Sequence, residues 1–590
     1  MRKSTFAVIA IAIVYTSSFY YYGMWKTSTI LYGGDAFGYY AYLPALFIHH
    51  DIDNLKKSVY YRNIEAGQQA DSTQHIQIEE AHAYKDRQVI KYTCGIALLE
   101  TPAFLLAHWL APWLGYQPTG YSTIYLFFIL FNNVFFSVVG FLFLRKVLLV
   151  YYNETIVAIT LLLIGIGTNL YFFSSYNTGM SHGYLFTLYA ALLYFSVRYF
   201  DNSSIANGLA TGLCCGLITL IRPNEMYCVL VPILYGSLSA KQLLGRLTIL
   251  LKKPSAYFAI AAFAICTIPQ VLYWYKLTGS PFYYSYTTES FDFRHPKIID
   301  GLFGYKNGWF PYTPVMLLAI LGILMLKDNL KKWVLPIAVI LPIHIYIIYS
   351  WWCWFYMGGL GSRPMIEMYA LLAIPLAATI QLLWRSVLFK IATSLVGIIL
   401  ITHQLSLTYQ RYANIMWSED SNATHYWQTL FKHKTDINDI IVYDTNERQP
   451  TQTNSKALLA QVACNEQGVC ETAVAVLNQK QYLSGWIRAT CKVCNTTAAF
   501  DMYHYAALVI EIKHDGQVIK RKQIRLLNKL SSDGTYGIWR ADFNTCGEVG
   551  FCTKIPKNYA TGDTVMAYIK YSADDIKPNI STLKLEIMMK

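Results

Sequence analysis

Charge is what this chain has little of. Asp, Glu, Lys and Arg make up 14% of its 590 residues, against 54% hydrophobic residues. Soluble globular domains carry about a quarter charged residues, so that class is excluded. Several apolar stretches approach or exceed the ~20 residues a bilayer core requires. No small-residue cleavage site follows the first hydrophobic segment, which comes after Arg2-Lys3. The aromatic run Phe19 to Tyr22, with Trp25, reads instead as an interface belt, and the segment as a retained anchor. No internal repeat is evident and charges inside the apolar segments are few, which argues against a transporter built on repeated broken helices.

What charge there is has a pattern. Of the net +13, residues 1–408 hold 27 Lys+Arg and 17 Asp+Glu, and the remainder holds 21 and 18. The excess lies in the apolar part, which points to loop orientation and away from nucleic acid. Spans are expected at 5–24, 121–144, 155–173, 183–200, 205–221, 226–240, 256–275, 313–326, 333–350, 364–384 and 391–408. Arg2-Lys3, Arg145-Lys146, Arg198, the 241–253 cluster, Lys327/Lys331/Lys332 and Arg385/Lys390 then fall on one side. By the positive-inside rule that side is the cytoplasm. Residues from Cys94 to Leu114 are also apolar, but they are interrupted by Pro102 and Pro112. Counting them as a span would turn every later basic loop outward, so they read as a helix lying on the outer face.

The expected fold is therefore a polytopic α-helical membrane protein of about eleven spans with a C-terminal all-β sandwich. The domains are 1–408, with a large first outer loop at 25–120, a connector at 409–455, and a β domain at 456–590. The location is a multi-pass plasma (inner) membrane, with the N-terminus cytoplasmic and the C-terminal domain periplasmic. In the tail, alternating runs such as Ala506 to Ile512 read as strands, and Asp515-Gly516 and Asp533-Gly534 as turns. Six of the twelve cysteines lie there, as Cys464/Cys470, Cys491/Cys494 and Cys546/Cys552. An even set in an extracytoplasmic domain indicates disulfides, with the three local pairs favoured among fifteen connectivities. A zinc site on Cys491 and Cys494 would need a second CxxC or a spaced His pair, and neither is present.

The outer face gathers a polar and aromatic set. Asp35 follows the first span in Gly33-Gly34-Asp35-Ala36, with Tyr39 and Tyr40 beyond it. The first loop continues through Glu79-Glu80-Ala81-His82 to Lys91-Tyr92-Thr93-Cys94-Gly95. Later loops hold Ser181-His182, Arg222-Pro223-Asn224-Glu225 and Trp351-Trp352-Cys353-Trp354, the last leading to Gly358-Gly359-Leu360-Gly361-Ser362-Arg363. Carboxylates, cations and aromatics meeting at one interface suit a charged lipid that carries a sugar. Each also has a plainer reading. Asp35 would serve as a helix cap. Lys91 and Arg222 would anchor helix ends at headgroups. The tryptophans would form an aromatic belt. His182 would pack in the bundle, and Glu79-Glu80 would be a solvated face. His49-His50-Asp51-Ile52-Asp53 has metal-ligand residue types, but neighbouring histidines on an interfacial loop are more often solvated.

Three features recur in order: an Asp after the first span, a Lys-Tyr-x-x-Gly stretch leading into a membrane-lying helix, and a late Trp-rich loop ending Gly-Gly-x-Gly-x-Arg. Together they resemble the GT-C superfamily of membrane glycosyltransferases, which includes protein O-mannosyltransferases and lipid A aminoarabinose transferases. The resemblance covers roughly residues 1–408. It implies sugar transfer, with inversion, from a polyprenyl-phosphate donor to an acceptor hydroxyl on the outer face. It also implies that Asp35 takes the acceptor proton. Many members have Asp-Glu at this point, whereas Ala36 follows Asp35 here, so Glu79 or Glu80 is nominated as the second acid. A leaving phosphate needs cations; the candidates are Lys91, Arg363 and Arg222. Tyr39, Tyr40, His82, Tyr92, His182, Trp351, Trp352 and Trp354 are the expected substrate contacts. No metal ligands are assigned and no cofactor is fixed, with a divalent cation left open. Partners are the lipid-linked sugar, a protein, glycolipid or glycan acceptor, and the bilayer. The competing readings are a flippase for lipid-linked sugars and a polysaccharide polymerase or ligase of another membrane fold.

Overall fold

In the computed structural model the chain divides into two compact units, Met1–Thr408 and Tyr409–Lys590. The description covers all residues except 1, 28, 68–79, 451–454, 466–469, 479–484, 496–505, 527–544, 572–577 and 590. Glu79 and the Asp533-Gly534 turn lie outside the described residues.

The first unit is a helical bundle. Six of its described helices are long and apolar enough to cross a membrane: Lys3–Tyr22, Thr123–Leu148, Pro254–Thr278, Asp328–Tyr349, Arg363–Leu383 and Val387–Tyr412. Of the other expected spans, 183–200 lies within the continuous twenty-residue helix His182–Asp201 and 205–221 is the helix Ile205–Ile221, while the rest are shorter or interrupted. Residues 155–173 form Glu154–Ile166 and Leu170–Ser175, and the expected 313–326 span contains only the nine-residue helix Val315–Ile323. At 1.5 Å per residue, nine residues reach about 14 Å, roughly half the hydrocarbon thickness. Burial separates centre from rim. From Tyr369 to Ile380 every residue is buried, so this helix is ringed by others. Pro254–Thr278 instead exposes Tyr257, Ile260, Ile265, Ile268 and Leu272, as a lipid-facing helix does.

Helices Ile205–Ile221 and Pro254–Thr278 approach very closely along Gly208, Gly212 and Gly216. A Cβ on Gly212 would stand 2.1 Å from the Ala259 carbonyl oxygen, so only hydrogen fits there. Small residues at four-residue spacing are the usual means of such contact within membranes. Helix Gly95–Leu110 turns Ile96, Ala97, Glu100, Phe104 and Ala107 inward. It leaves Leu98, Leu105, Leu106 and Trp109 exposed, followed by Trp113 and Leu114. An outward apolar face flanked by tryptophans suits a helix resting at a lipid interface.

Strands β1 (Ala81–Tyr84) and β2 (Arg87–Ile90) pair in the first unit, and the described residues of the second unit hold β3 (Ser455–Ala463), β4 (Ala473–Leu477), β5 (Trp486–Cys494), β6 (Ala507–His514), β7 (Gln517–Arg525), β8 (Cys546–Lys554), β9 (Asp563–Lys570) and β10 (Asn579–Met589). These eight form two four-stranded antiparallel sheets, ordered β3-β10-β5-β8 and β4-β9-β6-β7. Ile487, Leu583 and Leu585 of one sheet and Leu508, Ile510 and Val565 of the other share one buried core. Asp515 and Gly516 both take positive φ between β6 and β7, as a two-residue hairpin turn requires. The stretch read as a connector carries two short helices, Ala423–Thr429 and Ile437–Thr445. The second sends Ile441 into the β core.

The cysteine pairing corrects the expectation in part. Cys464 pairs with Cys470 as expected, but Cys494 pairs with Cys546, leaving Cys491 and Cys552 as buried thiols. Cys491 and Cys494 share strand β5, and Cys546 and Cys552 share β8. Three residues of extended chain span about 10 Å, and neighbours three apart point to opposite faces, which is incompatible with a disulfide. Cys494 and Cys546 are direct cross-strand partners.

Candidate active site

The site begins at a turn forced by two glycines. Gly33 and Gly34 have φ of +103° and +80°. A Cβ on Gly33 would lie 2.7 Å from Glu80 Oε1, and the same carboxylate accepts the Gly34 N–H. The turn starts the short helix Asp35–Tyr40 and sets Asp35 at its head. Beside it, the hairpin Ala81–Tyr84 with Arg87–Ile90 delivers Lys91 and Tyr92. The Tyr92 ring lies against Gly38, where a Cβ would come within 2.1 Å of it.

Asp35 has a partner on each oxygen. The Tyr92 hydroxyl donates to Oδ1 at 2.6 Å, and Arg363 Nη2 donates to Oδ2 at 2.9 Å. Burial pushes its pKa up, but Arg363, the Tyr92 hydroxyl, Arg222 and Lys91 outweigh burial and hold the carboxyl below its ordinary range. It is therefore ionised at neutral pH. Burial, with Asp35 next, raises the Tyr92 phenol well above its usual value, so Tyr92 remains a donor.

Arg363 ends a firmly held loop. The Asn169 side-chain amide donates to the Leu360 carbonyl at 3.0 Å, and the Gly361 N–H donates to Asn307 Oδ1 at 3.1 Å. Arg222 follows helix Ile205–Ile221 and donates to Ser181 Oγ through Nε and Nη2 at 3.3 and 3.2 Å. Burial alone would lower its pKa, but Glu367 leads the charges that raise it above the usual arginine range. Lys91 pairs with Glu289, whose other oxygen accepts from Trp352 Nε1 at 3.2 Å.

These groups line one cavity of about 660 Å³. Of the expected residues, Asp35, Glu80, Lys91, Arg222, Arg363, Tyr39, Tyr92, Trp351 and Trp352 all face it. Tyr40, His82, His182 and Trp354 are not among its lining residues. Tyr40 follows Tyr39, so it turns roughly 100° around the helix axis. Its hydroxyl donates to the Gly120 carbonyl on the far side. His82 sits in the hairpin opposite Val89. His182 is fully buried against Glu367, and Trp354 packs on Phe355. The His49 and Asp51 side chains serve local structure, His49 meeting the Thr119 carbonyl and Asp51 accepting from Ser58. Among the described residues, no three His, Cys, Asp or Glu side chains gather as a metal site.

Several lining residues were missed. Glu289, Tyr284, Tyr286 and Phe291 come from the 276–312 loop, whose residues gave no periodic or motif signal. That loop is tied to the tryptophans by the Phe291–Trp351 bridge and by the Trp352 N–H donating to the Ser290 carbonyl at 3.1 Å. Glu367 did carry a signal, being a carboxylate inside an expected span.

The comparisons with known proteins are sparse. No family model matches the sequence, and no curated protein does. Among solved structures, one match is arabinosyltransferase EmbB from Mycobacterium smegmatis, determined by cryo-EM, at 9% identity and a TM-score of 0.26. That match covers 79% of this chain and 57% of the other, a likeness too loose to define a site.

Proposed function

We propose that the protein is a GT-C-type membrane glycosyltransferase, moving a sugar with inversion from a polyprenyl-phosphate donor to an acceptor hydroxyl on the outer face. The observation that carries this reading is one cavity holding an ionised Asp35 together with Arg363, Arg222 and Lys91. The eleven-span topology and an outward β unit belong to the same proposal, with the basic loops as their support.

In the proposed step the acceptor oxygen attacks the anomeric carbon and its proton passes to the Asp35 carboxylate. The bond from that carbon to the phosphate oxygen breaks, and the electron pair leaves on the phosphate. Positioning and electrostatic stabilisation of that charge carry most of the acceleration. Arg363 and Arg222 present planar donor forks suited to phosphate oxygens, and Lys91 a point charge. Arriving phosphate draws Arg363 from Asp35 and Lys91 from Glu289, which frees Asp35 for the acceptor. Glu80 supports the Gly33-Gly34 turn, so its role is to place Asp35. Trp351, Trp352, Tyr284 and Tyr286 offer aromatic faces to the sugar.

The test is to incubate purified full-length protein in detergent with a panel of polyprenyl-phosphate sugars and measure free polyprenyl phosphate. Release with at least one donor is expected, and none with any donor overturns the reading. One observation favours the flippase alternative: Glu225, Glu367 and His344 are ionisable and buried in the bundle. Asp35→Asn separates the two, since it stops transfer and leaves movement of the lipid intact.

A further inference from the structure

Glu225, Glu367, His182 and His344 are each 0% exposed, and the proposed transfer step uses none of them. Ionisable groups inside a membrane bundle are expensive to keep and are retained where they serve function. Here they form two polar chains, one ending at Arg222 and the other at the Pro364 carbonyl beside Arg363.

The first chain ends at the Arg222 side chain. Arg222 Nη2 lies 3.5 Å from His182 Nε2, and His182 Nδ1 lies 3.0 Å from Glu367 Oε1. A guanidinium only donates, so His182 accepts on Nε2 and carries its hydrogen on Nδ1, facing the carboxylate. Arg222 Nη1 also approaches the same oxygen directly at 3.6 Å. Together with Ser181 Oγ, these contacts hold the guanidinium from its buried side while Arg222 lines the cavity.

The second chain ends at the backbone beside Arg363. Glu225 accepts from the Tyr189 hydroxyl at 2.6 Å and from the Tyr227 hydroxyl. Tyr227 in turn meets His344 Nδ1, and His344 Nε2 lies 3.0 Å from the Pro364 carbonyl. That carbonyl only accepts, so Nε2 carries the hydrogen. Pro364 is the residue after Arg363, and Glu225 lies three residues after Arg222.

We propose that Glu367 with His182 are positioning residues that hold the Arg222 side chain, and Glu225 with His344 positioning residues that hold the backbone carrying Arg363, in one clamp for the donor phosphate. The burial pattern supports this division of labour. In the Lys91–Glu289 and Asp35–Arg363 pairs both side chains are partly exposed, so an incoming anion can part them. Glu367 has no exposure, so it cannot follow Arg222 toward a ligand and acts as a fixed anchor. An arginine fixed in advance loses less freedom on binding, and affinity rises accordingly. The inference rests on the phosphate-donor reading.

The test measures binding of a fluorescent polyprenyl monophosphate, without sugar, to full-length protein in nanodiscs. Glu367→Gln keeps the side-chain shape and replaces one acceptor oxygen with an amide donor; about a tenfold weaker Kd is expected, with the unfolding midpoint little changed. Arg222→Gln weakens binding at least as much, and the double variant is no weaker than Arg222→Gln alone. If Glu367→Gln does not fold, Ser181→Ala carries the same expectation at about threefold. Wild-type affinity in a folded Glu367→Gln or Ser181→Ala, or losses that simply add in the double variant, overturns the positioning role. Wild-type protein that binds no polyprenyl phosphate overturns the donor reading itself and the clamp with it.

Discussion

Asp35 and Arg363 stand 328 positions apart in the chain and meet at 2.9 Å on the wall of one cavity. The pairing joins the Gly33-Gly34 turn to the loop that follows Trp351–Trp354. It opposes the upward push of burial on the Asp35 pKa.

Asp35→Asn keeps the size of the side chain and removes the proposed base. Turnover is expected to fall by about 10²–10⁴-fold, while the donor KM changes by less than a few fold. Steady-state kinetics with a donor found active in the panel provide the measurement. Loss confined to KM would point to a binding role for Asp35 instead.

Tyr92→Phe deletes one hydrogen bond to Asp35 and little else. That bond favours the charged carboxylate, so losing it raises the Asp35 pKa. In the proposed step the ionised form is the active one, and activity disappears as pH falls through the depressed pKa. The acid limb of the kcat/KM profile should therefore move to higher pH, with turnover at neutral pH reduced only a few fold. An unmoved acid limb would show that another group controls it.

Gly38→Ala places a methyl group within 2.1 Å of the Tyr92 ring, so the tyrosine must shift away from Asp35. Overpacking of this kind costs about 1–3 kcal/mol, and turnover should drop at least about tenfold. Gly397→Ala is the control, since its Cβ would meet only Leu163 Cδ2 at an ordinary 3.5 Å. Thermal unfolding and turnover of the two full-length variants test this directly.

Non-reducing peptide mapping should recover Cys494 linked to Cys546, with Cys491 and Cys552 free. Breaking that bond by Cys494→Ser should destabilise the β unit by about 2–4 kcal/mol. Cys464→Ser should cost less, because its bond closes a separation of six residues against 52. Denaturant-dependent alkylation of the buried Cys491 and Cys552 in the full chain reads out both. A Cys491–Cys494 bond in the map would contradict the strand register.

Much was legible in residue order because it depends on local composition. Apolar runs marked the long helices, since a bilayer core demands about twenty apolar residues whatever their partners. Alternation and an Asp-Gly pair marked β6 and β7, because strand period and turn geometry are local properties. Asp35, Lys91, Arg222 and Arg363 stood out as ionised types at the ends of apolar segments. Tyr40 and Trp354 stand beside the cavity residues Tyr39 and Cys353 in the chain but do not line the cavity. A helix or tight turn sends adjacent side chains in different directions.

Residue order thus determined which segments are apolar enough to be buried or lie in lipid, and which few charged residues stand at their ends, because those preferences belong to each side chain alone. Only the tertiary structure decided that Asp35 faces Arg363, that Lys91 takes Glu289, that Glu367 anchors Arg222, and that Cys494 pairs with Cys546. Those partners lie on different helices, loops and strands. Their meeting depends on how whole elements pack and register, which no local pattern encodes.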